Sequence, residues 1–178
     1  AIGGYHISCH KKTGHGTVTL AQGLQQSCNP CMIMVSQSIG ASKFYEYVKA
    51  FGYLEKTGID LPHEEIGSKG LEPAAGNLLH YAIGQYDTYT PIQIAQYMST
   101  IANDGVYITP TFYTKVVDAS GTTVLTPKQE SRRVFSEQTA YLTKSILQEP
   151  VKSGGTAPYC AISGKDVAAK TGTTDKSY

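Results

Sequence analysis

From Tyr53 to Gln85 the chain carries no sustained hydrophobic period. Gly58, Pro62, Gly67, Gly70, Pro73 and Gly76 punctuate it, and each is a residue that ends or bends regular structure. Long irregular spans of this kind are usually functional or covering loops. Regular structure must therefore come from the flanks, where apolar material is limited. Leu, Ile, Val and Phe number 37 of 178 residues, close to the compositional edge of disorder. A formal charge of +1 is too small to hold a chain open. Thirteen tyrosines add apolar bulk with a polar tip, so a core can still be built.

The balance of 15 basic against 14 acidic residues excludes a nucleic-acid binder that works by bulk charge. The longest purely apolar run is Cys31 to Val35, far short of the roughly 20 residues that span a bilayer. No segment resembles a secretory signal. The chain opens on Ala1, not on a methionine, and closes on Tyr178; a natural domain could end this way, and so could a piece cut from a longer protein. Any signal or anchor is expected outside it.

There is no internal repeat and no low-complexity tract. The spacing predicts a short helix over Val18 to Gln26, ending at Ser27-Cys28-Asn29. A second helix is expected from Asn29, as N-cap, with Pro30 at the first helical position, to Ile39 before Gly40. A third places Ala41, Phe44, Tyr45, Val48 and Phe51 at helical spacing and ends at Gly52. Thr90-Pro91-Ile92-Gln93 reads as a capping box. The helix it opens is expected to bury Ile94, Ala95, Met98, Ile101 and Ala102 and to stop at Asp104-Gly105. Thr111 to Val117 and Thr122 to Leu125 read as a hairpin about the turn Asp118-Ala119-Ser120-Gly121. Ser136 caps a further helix carrying Leu142, Ile146 and Leu147 to about Val151. A Gly/Pro-rich linker over Ser153 to Pro158 follows. Asp166 to Thr174 reads as a strand. The fold class is mixed α/β, helix-rich, with little sheet for its helices.

Two short motifs bear on chemistry. Ser27-Cys28-Asn29 fits S-x-N, and Lys170-Thr171-Gly172 fits K-T-G, 143 residues later. Taken alone, Ser27 and Asn29 could merely end one helix and cap the next, and Lys170 could be a solvated strand-end lysine. Their order matches two of the three elements, S-x-x-K, S-x-N and K-T-G, of the penicillin-recognising serine acyl-transferases. Further segments extend the match: His15-Gly16-Thr17-Val18-Thr19-Leu20, Phe51-Gly52, Thr57-Gly58-Ile59-Asp60-Leu61-Pro62, Ile83-Gly84-Gln85 with Thr90-Pro91-Ile92-Gln93, Ile101-Ala102-Asn103-Asp104-Gly105 and Pro110. From about Tyr5 to Thr174 the chain resembles the transpeptidase domain of penicillin-binding proteins, most closely class B, high-molecular-mass enzymes of Gram-positive type.

That resemblance implies a partial penicillin-binding, serine β-lactamase-like fold, with residues 1–178 forming part of one transpeptidase domain and no second domain. It implies a parent enzyme that cleaves D-alanyl-D-alanine stem peptides through an acyl-serine and passes the acyl group to an amine, cross-linking peptidoglycan. β-Lactams would be bound by the same site. Ser27 would relay a proton to the leaving amine. Asn29 would bond the substrate's amide backbone, and Lys170 would present a positive charge. Thr171 would bond the substrate carboxylate, and Gly172 would let its backbone approach. The substrate would dock as an added strand, and Thr173 would supply an oxyanion-hole N–H. No cofactor is expected. The parent is expected outside the cytoplasm, anchored to the bacterial membrane among cell-wall synthesis partners.

The nucleophile motif S-x-x-K is absent from any plausible place. Its one formal match, Ser8-Cys9-His10-Lys11, lies 19 residues before Ser27, whereas the family places S-x-x-K far earlier. The strand and helix that follow K-T-G in the family are missing too. The 178 residues alone are thus expected to be inactive. Two other readings stay open: a hydrolase of the same fold, carboxypeptidase or β-lactamase, and a non-catalytic sensor or adaptor. The long interval between the two motifs weighs against a compact β-lactamase, and their intactness against a sensor.

Cys28-x-x-Cys31, with Cys9, His6 and His10 nearby, invites a zinc or redox reading. It is set aside because Cys28 lies within S-x-N and Cys31 begins a helical stripe. No metal is expected, and no triad or zinc spacing relates His6, His10, His15, His63 and His80. The family's compartment permits disulfides, so a Cys9–Cys28 bridge and four free thiols both stand. Tyr45, Tyr47, Tyr81, Tyr86, Tyr89 and Tyr97 are read as packing or cleft-lining residues.

Overall fold

The computed structural model describes residues 7–70 and 77–173. His6, Pro73, Gly76 and Thr174, named above, lie outside them. The described residues fall into two compact units, one from 7–46, 69–70, 77–88 and 141–173, the other from 47–68 and 89–140.

In the first unit, α1 (Leu20–Gln25) opens on a capping box. Thr19 accepts from the Gln22 N–H while Gln22 Oε1 accepts from the Thr19 N–H. α2 (Asn29–Ile39) packs on α1 where Gly23 meets Cys31, because a Cβ at Gly23 would stand 2.9 Å from Cys31 Cβ. The expected cap is displaced by one residue. Cys28 is the N-cap, Asn29 is the first helical residue, and no side chain bonds the helix start. Asn29 instead turns its amide to the Ser8 carbonyl, at 3.4 Å.

α3 (Ala41–Ala50) follows at once. Its Tyr45 ring meets Tyr81 edge-on at 5.4 Å. Tyr81 ends α4 (Leu78–Tyr81), a single turn with Leu78 and Leu79 buried, which the glycine-punctuated span did not announce. A 3-10 turn over Glu149–Val151 packs against α1. Pro150 there is fully buried and its carbonyl accepts from Ala157 N–H at 2.8 Å. A second 3-10 turn spans Pro158–Cys160.

The strand expected over Asp166 to Thr174 is not formed among the described residues. A strand is a pairing, and residues 166–173 join no ladder; Ala169 N–H bonds the Leu147 carbonyl at 3.0 Å.

In the second unit, α5 (Pro91–Ala102) opens on the expected capping box, with Gln93 Oε1 accepting from Thr90 N–H at 2.8 Å. Its buried face is only partly the expected one. Ile101 is buried as expected and Met98 half-buried, but Ile94, Ala95 and Ala102 are exposed, and Gln93, Gln96 and Thr100 are buried in their place. Two of the polar members, Gln93 and Thr100, are buried with side-chain hydrogen bonds made. Gln93 Nε2 donates to the carbonyls of Glu55 and Ile66 at 2.9 and 3.2 Å, and Thr100 Oγ1 to Gln96 O at 2.8 Å. Gln93 thereby ties the irregular segment to a helix, a job no hydrophobic pattern encodes.

α5 packs on β1 (Val106–Ile108). β1 pairs antiparallel with β4 (Ser131–Arg133), a ladder the sequence did not show because three-residue strands carry too few alternations to read. Arg132 lies over the Tyr107 ring at 4.3 Å and donates to the Ala50 carbonyl. Gly105, with φ +81°, turns the chain between α5 and β1, and a Cβ there would strike the Phe135 carbonyl. The expected hairpin is present as β2 (Val116–Val117) and β3 (Thr123–Leu125), with Asp118 Oδ1 accepting from Ser120 and Thr122 N–H, each at 2.9 Å.

α6 (Glu137–Gln148) starts where Ser136 Oγ accepts from Thr139 N–H at 3.2 Å, as expected. Leu147 is buried, but Leu142 is exposed. Tyrosine does make up part of the core. Phe51, Tyr53, Tyr89, Tyr97 and Phe135 form one aromatic cluster, with centroids 4.1 to 5.6 Å apart.

Gln93→Leu keeps the volume but leaves the Glu55 and Ile66 carbonyls and the helix start without the Gln93 side chain. We expect a loss of about 2–3 kcal/mol. The readout is a lower urea midpoint with an unchanged slope; a midpoint equal to the parent's would refute the assignment.

Candidate active site

The loop between α1 and α2 is a Schellman turn. The Ser27 N–H bonds the Leu24 carbonyl at 3.1 Å, and the Cys28 N–H bonds the Gly23 carbonyl at 2.8 Å. This motif needs a left-handed residue at the position Ser27 fills, where glycine is usual. Ser27 has φ +49°. A non-glycine residue there costs about 1–2 kcal/mol.

Lys170 meets Ser27 across 143 residues of sequence, its Nζ donating to Ser27 Oγ at 2.9 Å. The other two N–H groups are also used, toward the Thr171 carbonyl at 3.0 Å and Thr171 Oγ1 at 3.4 Å. Desolvation holds the Lys170 ammonium below the usual lysine range. Thr171 Oγ1 donates to Thr156 Oγ1 at 3.3 Å, and the Thr173 carbonyl accepts from Gln85 Nε2 at 3.1 Å. Gln26 Nε2 donates to the Gly154 carbonyl at 2.6 Å, joining the α1 end to the segment before Thr156.

The structure thus brings together Ser27, Lys170 and Thr171. Asn29 is one residue from the loop, but its amide is engaged with Ser8. Gly172 has a negative φ, and a Cβ placed on it would meet nothing within 4 Å. Nothing within the described fold requires glycine there. Ser8 and Cys9 lie in irregular chain and His10 and Lys11 in a bend, with Gly14 N–H bonding the Lys11 carbonyl at 2.8 Å, so the formal S-x-x-K match does not sit on a helix.

Sequence reasoning missed the supports Thr156 and Gly154. It noted Gln85 only as part of a resembling segment. All three bond backbone or hydroxyl groups, which no spacing rule reveals. It also missed a gathering of sulfur and nitrogen. Cys9, His15 and Cys28 place their ligand atoms within 4.8 Å of one another. All four cysteines are free thiols, so the Cys9–Cys28 bridge is not formed. Burial pushes the Cys28 thiol up. Burial first, then the His10 and Lys11 charges, lowers the His15 imidazole.

A family profile described as the penicillin binding protein transpeptidase domain matches residues 2–178. Penicillin-binding protein 2A of Bacillus subtilis is 33% identical over 92% of this chain and 26% of its own length. Stage V sporulation protein D of the same organism is 33% identical over 98% and 28%. The chain therefore spans about a quarter of the length of these relatives. Among solved structures, apo penicillin-binding protein 3 of Mycobacterium tuberculosis superposes with a TM-score of 0.80 at 28% identity, over 89% of this chain and 37% of that one. The same protein has been solved with aztreonam and with ampicillin, each superposing at a TM-score of 0.73 and 27% identity over 81% of this chain and 34% of that one.

Two predictions test the geometry. Ser27→Gly should raise stability by about 1 kcal/mol, since the turn then carries its preferred residue. Thermal melting checks it, and a lower midpoint would contradict the strained serine. Lys170 should titrate below 10.5 by NMR, and lower still in Ser27→Ala, which removes a dipole favouring the ammonium. Because its folded value lies below the unfolded one, the unfolded chain holds more protons between the two. Its contribution to stability therefore rises with pH through that interval.

Proposed function

The chain belongs to the penicillin-binding protein transpeptidase family, and on that premise we propose that Ser27, Asn29, Lys170, Thr171, Gly172 and Thr173 form the proton-relay and substrate-cradling part of a serine D,D-transpeptidase site. The substrate is a peptidoglycan stem peptide ending in D-alanyl-D-alanine, and β-lactams are its mimics. The reactive serine and its lysine, the S-x-x-K pair, come from outside residues 1–178. The parent enzyme works outside the cytoplasm, held at the membrane. The two compact units are parts of one transpeptidase domain.

The observation that carries this reading is the Lys170 to Ser27 bond. An ammonium only donates, so Ser27 Oγ accepts a hydrogen bond from Lys170 and must point its own hydroxyl proton elsewhere. That polarity suits a relay: Ser27 gives its proton to a leaving amine and recovers one from Lys170. A lysine partly stripped of water releases that proton more readily. Thr171 shares its hydroxyl with Thr156 and rotates to meet a substrate carboxylate. Gly172 is open, and a glycine not needed by the fold is suited to close approach of a peptide backbone. Aztreonam and ampicillin bound to the Mycobacterium tuberculosis protein support β-lactams as ligands.

The test uses the full-length protein and a fluorescent penicillin. Wild type should label at a serine outside residues 1–178, located by mass spectrometry, while the 178-residue chain alone should not label. Ser27→Ala and Lys170→Ala should slow acylation by about 10²–10⁴-fold. Gly172→Ala should slow it too, with stability unchanged within about 0.5 kcal/mol. Labelling of the chain at Ser8, or normal acylation in Lys170→Ala, would overturn the proposal. Product analysis with and without an acceptor amine separates transfer from hydrolysis.

A further inference from the structure

The acyl-transfer chemistry makes no use of the Cys9, His15 and Cys28 cluster. Cys9 Sγ lies 3.2 Å from His15 Nδ1, and all three residues place ligand atoms within 4.8 Å of one another. Cys28 is buried and the other two are half-buried. The residues come from two separate stretches. Cys9 and His15 bracket a turn, and Cys28 is the middle residue of Ser27-Cys28-Asn29, its N–H fixed on the Gly23 carbonyl. Asn29 already ties the two stretches through the Ser8 carbonyl.

Cys31 belongs to a different contact. It packs against Gly23, where α1 and α2 touch. The residues that converge are therefore not the C-x-x-C pair a sequence motif would suggest.

We propose that Cys9, His15 and Cys28 bind a divalent ion of the zinc type, which clamps the turn over residues 9–15 to the loop that carries Ser27. Two thiolates and an imidazole are a soft, borderline donor set that selects Zn²⁺ over calcium or magnesium. Ligand atoms around a tetrahedral zinc lie about 3.5–3.8 Å apart, from Zn–S near 2.3 Å and Zn–N near 2.0 Å. The cluster reaches that spacing with movements of about 1 Å or less. On binding, Cys9 and Cys28 each release a proton to solvent, and His15 binds as the neutral ring through Nδ1, with its proton on Nε2. Two thiolates cancel the dication, so the site around the buried Cys28 carries no net charge. Three protein ligands leave one position. His10, whose Nδ1 is 3.9 Å from Cys9 Sγ, or a water molecule completes it.

The clamp would act on the residue that most needs it. Cys28 follows Ser27 directly, so an ion holding Cys28 holds the left-handed serine in place. Binding of the ion stands apart from the acyl-transfer reading; only an effect on acylation would rest on it.

The test measures metal in the reduced full-length protein. Zinc after gel filtration should be one equivalent per chain. Co²⁺ added to metal-free protein should give thiolate-to-cobalt charge-transfer absorption and the visible bands of a tetrahedral site. Cys9→Ser and Cys28→Ser should lose both signals. His15→Ala should weaken Co²⁺ binding at least 10-fold, while Cys31→Ser and Cys160→Ser should bind normally. His15→Cys keeps a ligand and should restore binding with stronger charge-transfer absorption, a rescue that a packing role would not give. Three results would overturn the proposal: no stoichiometric Zn²⁺ or Co²⁺ with all thiols freely titratable, loss of binding in Cys31→Ser with retention in Cys9→Ser, or a native Cys9–Cys28 disulfide.

Discussion

The first unit depends on how α1 ends. A helix terminus leaves carbonyls without partners, and here the Leu24 and Gly23 carbonyls are answered by the N–H groups of Ser27 and Cys28. That turn requires a left-handed residue, sets the direction in which α2 leaves, and lets Gly23 and Cys31 come together. It also carries Ser27 to Lys170. The segment bearing Lys170 makes no ladder, so its position rests on separate ties: Ala169 to Leu147, Thr171 to Thr156 and Thr173 to Gln85. Three bonds from three parts of the unit hold what a strand pairing would otherwise hold.

Local signals were the legible part of this fold. The capping box at Thr90, the Ser136 cap, the Gly40, Gly52 and Gly105 stops and the Asp118 turn each depend on a few adjacent residues, and each is where the spacing placed it. Ser27 and Lys170 were legible as motifs, and the geometry joins them. What was not legible depends on distant partners. The α5 face was misread because periodicity counts only apolar residues, whereas Gln93 and Thr100 are buried on the strength of bonds to Glu55, Ile66 and Gln96. The β1–β4 ladder joins two three-residue strands across an intervening hairpin, beyond the reach of any local pattern. Asp166 to Thr174 has strand-like composition, but composition does not supply a neighbour.

The cysteines illustrate the same limit. Sequence spacing offers Cys28-x-x-Cys31, with Cys9, His6 and His10 nearby, as a zinc or redox motif, a reading set aside there. In space α1 takes Cys31 for its contact with Gly23, and Cys28 is left facing Cys9 and His15. The C-x-x-C pair and the cluster therefore share only Cys28.

Stability and site geometry pull in opposite directions at two positions. Ser27 occupies a backbone conformation that glycine would fill at lower cost, and its hydroxyl accepts the Lys170 hydrogen bond. At Gly172 the situation reverses: a side chain would fit the fold, since a Cβ meets nothing within 4 Å, yet glycine stands there. A fold selected for stability alone would exchange the two, glycine in the turn and a larger residue on the extended segment. Departures from local preference that lie together in space, one adding a hydroxyl and the other removing a side chain, are what a site for a peptide-like ligand demands. On the proposed reading, this pairing is why Ser27, Lys170 and Gly172 belong to one site.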